Sequence, residues 1–230
     1  ILEKSNLYLE NIIRTAGKEI TDQEVVWYLQ SPVGDGGVWN LFHNIGEKYG
    51  VVPKEVMPET VHSNNTGQMT GVINRRLKKA GWDIRQVYGE KTANMKKNNK
   101  KAQEELAAAL KAAKMEALED VYRILVLCLG EPPVEFTWKY KNNKGEVVSV
   151  TSTPQEFYKG LIPDNYNTQT YIMIMNDPTR EYYKVYDIAN YRNTIEGVNW
   201  VYLNLPNEEI KEAALKSIKA NEPLYASCDV

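Results

Sequence analysis

Two cysteines and two histidines are the side chains of this 230-residue sequence best suited to nucleophilic chemistry. A catalytic thiol must ionise, which it does at a helix start or beside a cation, with an imidazole within hydrogen-bond reach. Cys128 instead completes the apolar stripe of a predicted helix near its C-terminal end. The helix dipole opposes a thiolate there, and a buried small hydrophobe is the simplest reading. Cys228 stands in an apparent strand, LYASCDV, beside Asp229. Neither setting favours a nucleophile. Metal binding is not indicated, because no carboxylate lies at ligand spacing to His43 or His62 and the cysteines stand outside any paired motif. His43 reads as structural, on the flank of its helix. No P-loop or dinucleotide fingerprint is present, so no cofactor is expected.

A different chemistry is suggested by main chain alone. Ser31–Thr60 reads SPVGDGGVWNLFHNIGEKYGVVPKEVMPET. Gly34-Asp35-Gly36-Gly37 can take backbone angles forbidden to other residues and lets another chain come close. A helical run with Trp39, Phe42, Ile45, Gly46 and Tyr49 follows. Gly50 ends it, and Pro53 and Pro58 keep the next stretch extended. Such a loop, helix and turn suggest a groove where an extended ligand lies along exposed backbone; tight internal packing is the alternative.

The elements that must hold this loop are helical first and strand-rich later. Ile1–Thr15 predicts a helix with Leu2, Leu9, Ile12 and Ile13 broadly on one side. Thr21 is the expected cap of a second, with Glu24 as its capping-box acid and Pro32 as its stop. From Lys100 to Leu127, Leu106, Leu110, Ala113, Ala117, Val121 and Ile124 recur at spacings of three and four, with Cys128 next. That helix would be about 40 Å long, more than a compact lobe needs, so a projecting arm is expected. Its uncovered stripe would then favour self-association.

After Glu131-Pro132-Pro133 the pattern changes. Phe136, Trp138 and Tyr140 alternate with polar residues, Asn142–Gly145 turns, and Val147–Val150 returns as a hairpin. Thr153 and Glu156 open a short helix. Thr170–Met175, Tyr182–Ile188 and Trp200–Leu205 read as strands, Asn207 opens a helix reaching Ile218, and Leu224–Cys228 reads as a last strand. The expected class is α+β with a boundary near Glu131.

Composition narrows the partners. The chain is 43% hydrophobic and 25% charged, ordinary for a globular protein, which argues against global disorder. Its net charge of −2 gives no overall pull toward nucleic acid. No apolar run approaches the roughly 18–20 residues that span a bilayer. Arg75-Arg76 with Lys78-Lys79, and Lys96-Lys97 with Lys100-Lys101, form basic clusters. They read as solvated helix faces balanced by Glu104, Glu105, Glu116 and Glu119, since no aromatic platforms are interleaved. Asn64-Asn65-Thr66 matches a glycosylation sequon, and the cysteine usage indicates no disulfide framework.

DGG-x-W followed by EKYGVVPKEVMPET, and later EEIKEAALKSIKANEPLYASCDV, resemble papain-like cysteine peptidases. Within them the bleomycin hydrolase, or aminopeptidase C, branch is most similar. LCLGEPP before an FTW strand, TPQEFYK and MNDPTREYYKVY are similar to that branch as well, so the resemblance covers essentially the whole chain. It departs at Val38, where the branch has Gln, and at Asn40, where it has Asp.

The resemblance implies a partial papain-like fold, in which a helical lobe faces a β-rich lobe across a substrate cleft. It divides the chain into 1–60 with the Gly-rich substrate loop, 61–133 as a helical insertion, and 134–230 as the β-rich lobe with its closing helix at 207–220. It implies a cytoplasmic thiol aminopeptidase that removes N-terminal residues from peptides and assembles as a homohexamer through the inserted arm. The family's Cys motif aligns before Ile1 and its His and Asn motifs after Val230. The expectation is therefore a middle segment with no catalytic residue of its own. Substrate-binding positions do carry over: Asp35, Gly36 and Gly37 in the loop, Val38 at the pocket rim, and Ala226 and Ser227 as weaker candidates. The second Gly is expected to bond the substrate backbone through its own N–H and C=O. A non-catalytic peptide-binding or assembly protein, and a nucleic-acid-binding homo-oligomer, are the two competing classes.

Overall fold

Residues 1–96, 99–161, 172–222 and 224–226 are described in the computed structural model. They form two compact units. The first comprises Ile1–Ile162 with Asn193–Gly197, the second Pro163–Arg192 with Val198–Val230.

The first unit is built on three helices, α1 (Leu2–Arg14), α5 (Gly67–Thr92) and α6 (Lys100–Leu129). Each carries an apolar row at helical spacing, and the rows meet. Leu9 and Ile12 of α1, Ile73, Leu77 and Ile84 of α5, and Ala117 and Val121 of α6 are fully buried in one cluster. Burying a Leu or Ile side chain contributes ~1.5–3 kcal/mol each, so this interface dominates the unit. The expectation of an uncovered stripe is therefore corrected. The α6 stripe of Leu110, Ala117 and Val121 is covered by α1 and α5 of the same chain, so an uncovered stripe gives no ground for self-association.

Shorter helices complete the unit: α2 (Gln23–Gln30), α3 (Trp39–Tyr49) and α4 (Val61–Asn64). The cap of α2 is Asp22, whose carboxylate accepts from the N–H groups of Glu24 and Val25, and not Thr21. Asp at that place satisfies two orphan donors at once. Glu24 serves instead in ion pairs with Arg14 and Lys18.

The hairpin β1 (Phe136–Lys141) and β2 (Val147–Ser152) pairs antiparallel, with Trp138 opposite Val150. Thr153 and Glu156 form the expected capping box of α7 (Pro154–Leu161). Hairpin and α7 belong to the first unit, so the compact division falls after Ile162 and not near Glu131. The cause is a close approach between α3 and α7. Gly50 ends α3 with φ 74° and a Cβ there would overlap the backbone of Pro154, while Val51 N–H donates to Pro154 C=O at 3.1 Å. Gly46 faces the Tyr158 ring in the same way.

The second unit holds a three-stranded sheet in the order β3 (Met173–Met175), β5 (Trp200–Asn204), β4 (Lys184–Ile188). β3 runs parallel to β5 and β4 antiparallel to it. Fully buried Asn204 organises one end. Its Nδ2 lies 2.9 Å from Asp177 C=O and its Oδ1 accepts from Asp177 N–H at 2.8 Å. Helix α8 (Asn207–Lys219) follows. Leu224–Ala226 form no strand, correcting that expectation over those residues, and Cys228 lies outside the described residues.

Candidate functional site

Gly34, Asp35, Gly36 and Gly37 are exposed, in irregular backbone just before α3. None of the three glycines has a positive φ; among the described glycines that conformation is taken by Gly50, Gly130 and Gly145. The backbone angles open to these glycines alone are therefore not used here. Packing does not require them either. A Cβ on Gly34 or Gly36 would meet nothing within 4 Å, and one on Gly37 would touch only Leu41, at an ordinary 3.7 Å. Glycine here leaves open space above a main chain.

That main chain is held from three directions. On one flank, Val33 N–H donates to Asn74 Oδ1 at 3.0 Å and Asn74 Nδ2 donates back to Val33 C=O at 2.9 Å. The Val33 side chain is buried in the α1–α5–α6 cluster. From α1, Lys4 Nζ donates to Gly34 C=O at 2.8 Å and also to Gly36 C=O. From the turn before α5, the Thr66 hydroxyl donates to the Asp35 carboxylate. The Thr66 bond, the largest cause, holds Asp35 below the usual carboxylate range, and Lys4 adds to it. Burial pulls Lys4 below the ordinary lysine value, while Asp35 pushes it back up.

Val38, half-buried, is the N-cap residue of α3 and makes no side-chain cap bond. No hydrogen bond to Gly37 N–H or C=O occurs among the described residues. Of the other candidate positions, Ala226 is exposed in the second unit and Ser227 lies outside the described residues. Asp35, Gly36, Gly37 and Val38 are thus the contiguous candidate site.

Lys4, Asn74 and Thr66 were not foreseen. The sequence carries no signal for them, since a lysine or asparagine on a helix reads as a solvated face. The basic cluster on α5 has internal partners. Arg76 pairs with Asp120 at 2.7 Å, Lys79 with Asp83 at 2.6 Å, and Lys78 donates to Gln30 C=O. Charge neutralised within the molecule is poor footing for a phosphate backbone.

Cys128 is partly buried and not fully buried as the sequence reading had it. Cys128 lies in the last turn of α6, packed against the cluster, and its C=O accepts from Thr60 Oγ1 at 2.9 Å. His43 is buried on α3. No group of three or more metal-binding side chains occurs among the described residues, and no described helix is long and apolar enough to cross a membrane.

A family profile, the Peptidase C1-like family, matches residues 1–230. Aminopeptidase C of Listeria monocytogenes is 34% identical over 100% of this chain and 48% of its own length. Human bleomycin hydrolase is 30% identical over 100% of this chain and 49% of its own. The crystal structure of PepW from Lactobacillus rhamnosis superposes with a TM-score of 0.84 at 32% identity, covering 96% of this chain and 47% of PepW. The chain thus spans about half the length of the curated relatives it matches.

Proposed function

The chain belongs to the Peptidase C1-like family, and from that premise we propose that it supplies the substrate-lining part of a thiol aminopeptidase. Its task is to hold an extended peptide, main chain to main chain, along Gly36 and Gly37. One observation carries this. These residues are glycine for no conformational or packing reason, yet three side chains from α1 and the α5 region fix their surroundings. An approaching peptide backbone gives such a surface its reason, because a Cβ would stand where the strand must lie. Val38 forms the rim, and Ala226 and Ser227 remain in the proposal on the family resemblance alone.

In a thiol aminopeptidase the thiolate attacks the first peptide carbonyl and expels the amine, and water then hydrolyses the acyl-thioester with an imidazole moving the proton. We assign neither role to this chain. Cys128 lies in the last turn of α6, partly buried against the cluster, and His43 is buried in α3. A cytoplasmic location and a homohexamer belong to the same proposal. The covered face of α6 is not available as the hexamer contact.

The test is calorimetric titration of the chain with a short peptide bearing a free N-terminus. Wild type is expected to bind. Gly37→Ala is expected to lose binding while keeping its thermal midpoint, because a Cβ there meets only Leu41, at an ordinary distance. Equal affinity in the two proteins would overturn the assignment of the loop.

A further inference from the structure

Each clamp on the loop does a different job, and one carries a consequence for substrate geometry. Asn74 fixes the chain entering the loop at Val33, and Thr66 fixes the Asp35 side chain. Only Lys4 touches the backbone on both sides of Asp35. Its Nζ donates to Gly34 C=O and Gly36 C=O. Two carbonyls two residues apart are thereby turned toward one ammonium. A peptide unit is planar, so turning the Gly36 carbonyl toward Lys4 turns the Gly37 N–H, on the same unit, the other way. Resting on the peptide-track role assigned to the loop above, we propose that Lys4 is the positioning residue that aims the Gly37 N–H at a bound peptide's carbonyl.

Several features fit this role. Glycines without internal restraint sample many backbone states, so an unclamped loop would lose entropy each time it bound a peptide. A lysine amine has three donors, enough for both carbonyls. Lys4 sits in the first turn of α1, and Leu9 and Ile12 of that helix are fully buried, so the stem of the clamp is rigidly based. Asp35 is a nearby carboxylate that favours the charged amine in this partly desolvated place. No salt bridge to Lys4 occurs among the described residues, leaving the carbonyls as its hydrogen-bond partners.

The test compares wild type, Lys4→Met and Lys4→Arg in the full chain. Amide hydrogen exchange is followed at Gly36, Gly37, Leu9 and Ile12, with peptide affinity measured alongside. Lys4→Met is expected to accelerate exchange at Gly36 and Gly37 and to weaken peptide binding roughly tenfold, in line with the loss of well-placed hydrogen bonds. Leu9 and Ile12 should keep their protection, which separates loop aim from a general loss of stability. Lys4→Arg, which retains donors for both carbonyls, should recover most of the affinity. Unchanged exchange at Gly36 and Gly37 in Lys4→Met would overturn the positioning role. If wild type binds no peptide while Lys4→Met still loosens the loop, the clamp stands and the peptide track is what fails.

Discussion

Asn74 and Val33, 41 residues apart in sequence, exchange two hydrogen bonds as though they were neighbours in a β-ladder. The side-chain amide of α5 stands in for a strand, satisfying both backbone groups of a residue that is only 4% exposed. Removing the Asn74 amide leaves a part-buried N–H and C=O of Val33 without these partners. Asn74→Ala is expected to cost about 1–3 kcal/mol, read as a lower urea midpoint at unchanged slope. Asn74→Asp should recover only the bond from Val33 N–H, because a carboxylate cannot donate to Val33 C=O.

Gly50 provides a sharper test of packing. Gly50→Ala would place a side chain at φ 74°, a region where such residues are strained, and would also overlap the Pro154 backbone. Gly130 has φ 88° with nothing near its Cβ position, so Gly130→Ala isolates the strain alone. We expect Gly130→Ala to cost about 1–3 kcal/mol. Gly50→Ala should cost at least another ~1–3 kcal/mol for the overlap. Similar denaturation midpoints for the two variants would show that α7 yields freely.

Glu24 gives a pH signature. Its hydrogen bond from Arg14, and then that from Lys18, lower its folded pKa from an ordinary 4.5 to about 2. A depressed carboxylate stabilises the fold above its unfolded pKa and loses that contribution as pH falls through its folded value, here between about 4.5 and about 2. Arg14 is half exposed, which limits the effect to about 0.2–1 kcal/mol. Glu24→Gln should therefore be less stable than wild type by that amount at pH 6 and equal to it near pH 2. A gap that persists at pH 2 would assign the effect to shape and not to charge.

The thiols make a fourth case. Purified as this chain, the protein is expected to show no iodoacetamide-sensitive release of amine from an aminoacyl amide. Such turnover, if lost in Cys128→Ala or Cys228→Ala, would name a nucleophile in this chain and end the assignment to substrate binding alone.

Periodicity made the helices legible, because apolar residues at spacings of three and four share a face only when the chain is helical. The row on α6 was visible residue by residue, but its partners were not. Ile73 and Leu77, its neighbours across the core, lie many residues away, and a row carries no record of what it faces. Thr21 and Asp22 are both good caps, and only the turn geometry chooses between them. In the loop, Gly36 and Gly37 were readable as a place where backbone is bare, but the unusual φ open to them is not used. Among the described glycines that conformation falls to Gly50, Gly130 and Gly145, at two helix ends and a hairpin turn. The clamps Lys4 and Asn74 were silent because a donor's partner is a matter of distance, not of type.

The five residues Asn193–Gly197 belong to the first unit although the chain around them belongs to the second. Asn193 Nδ2 donates to Leu41 C=O at 2.8 Å, Asn44 Nδ2 donates to Asn193 Oδ1, and Lys48 pairs with Glu196 at 2.6 Å. On the ribosome, α3 is made long before these partners. At ~5–20 residues per second, it waits on the order of ten seconds without Asn193 and Glu196 before residue 197 leaves the exit tunnel. The helices can collapse on one another in that interval, but the flank of α3 cannot close. Nascent chains arrested short of residue 193 should therefore be more readily cut by protease near α3 than chains arrested well beyond residue 197.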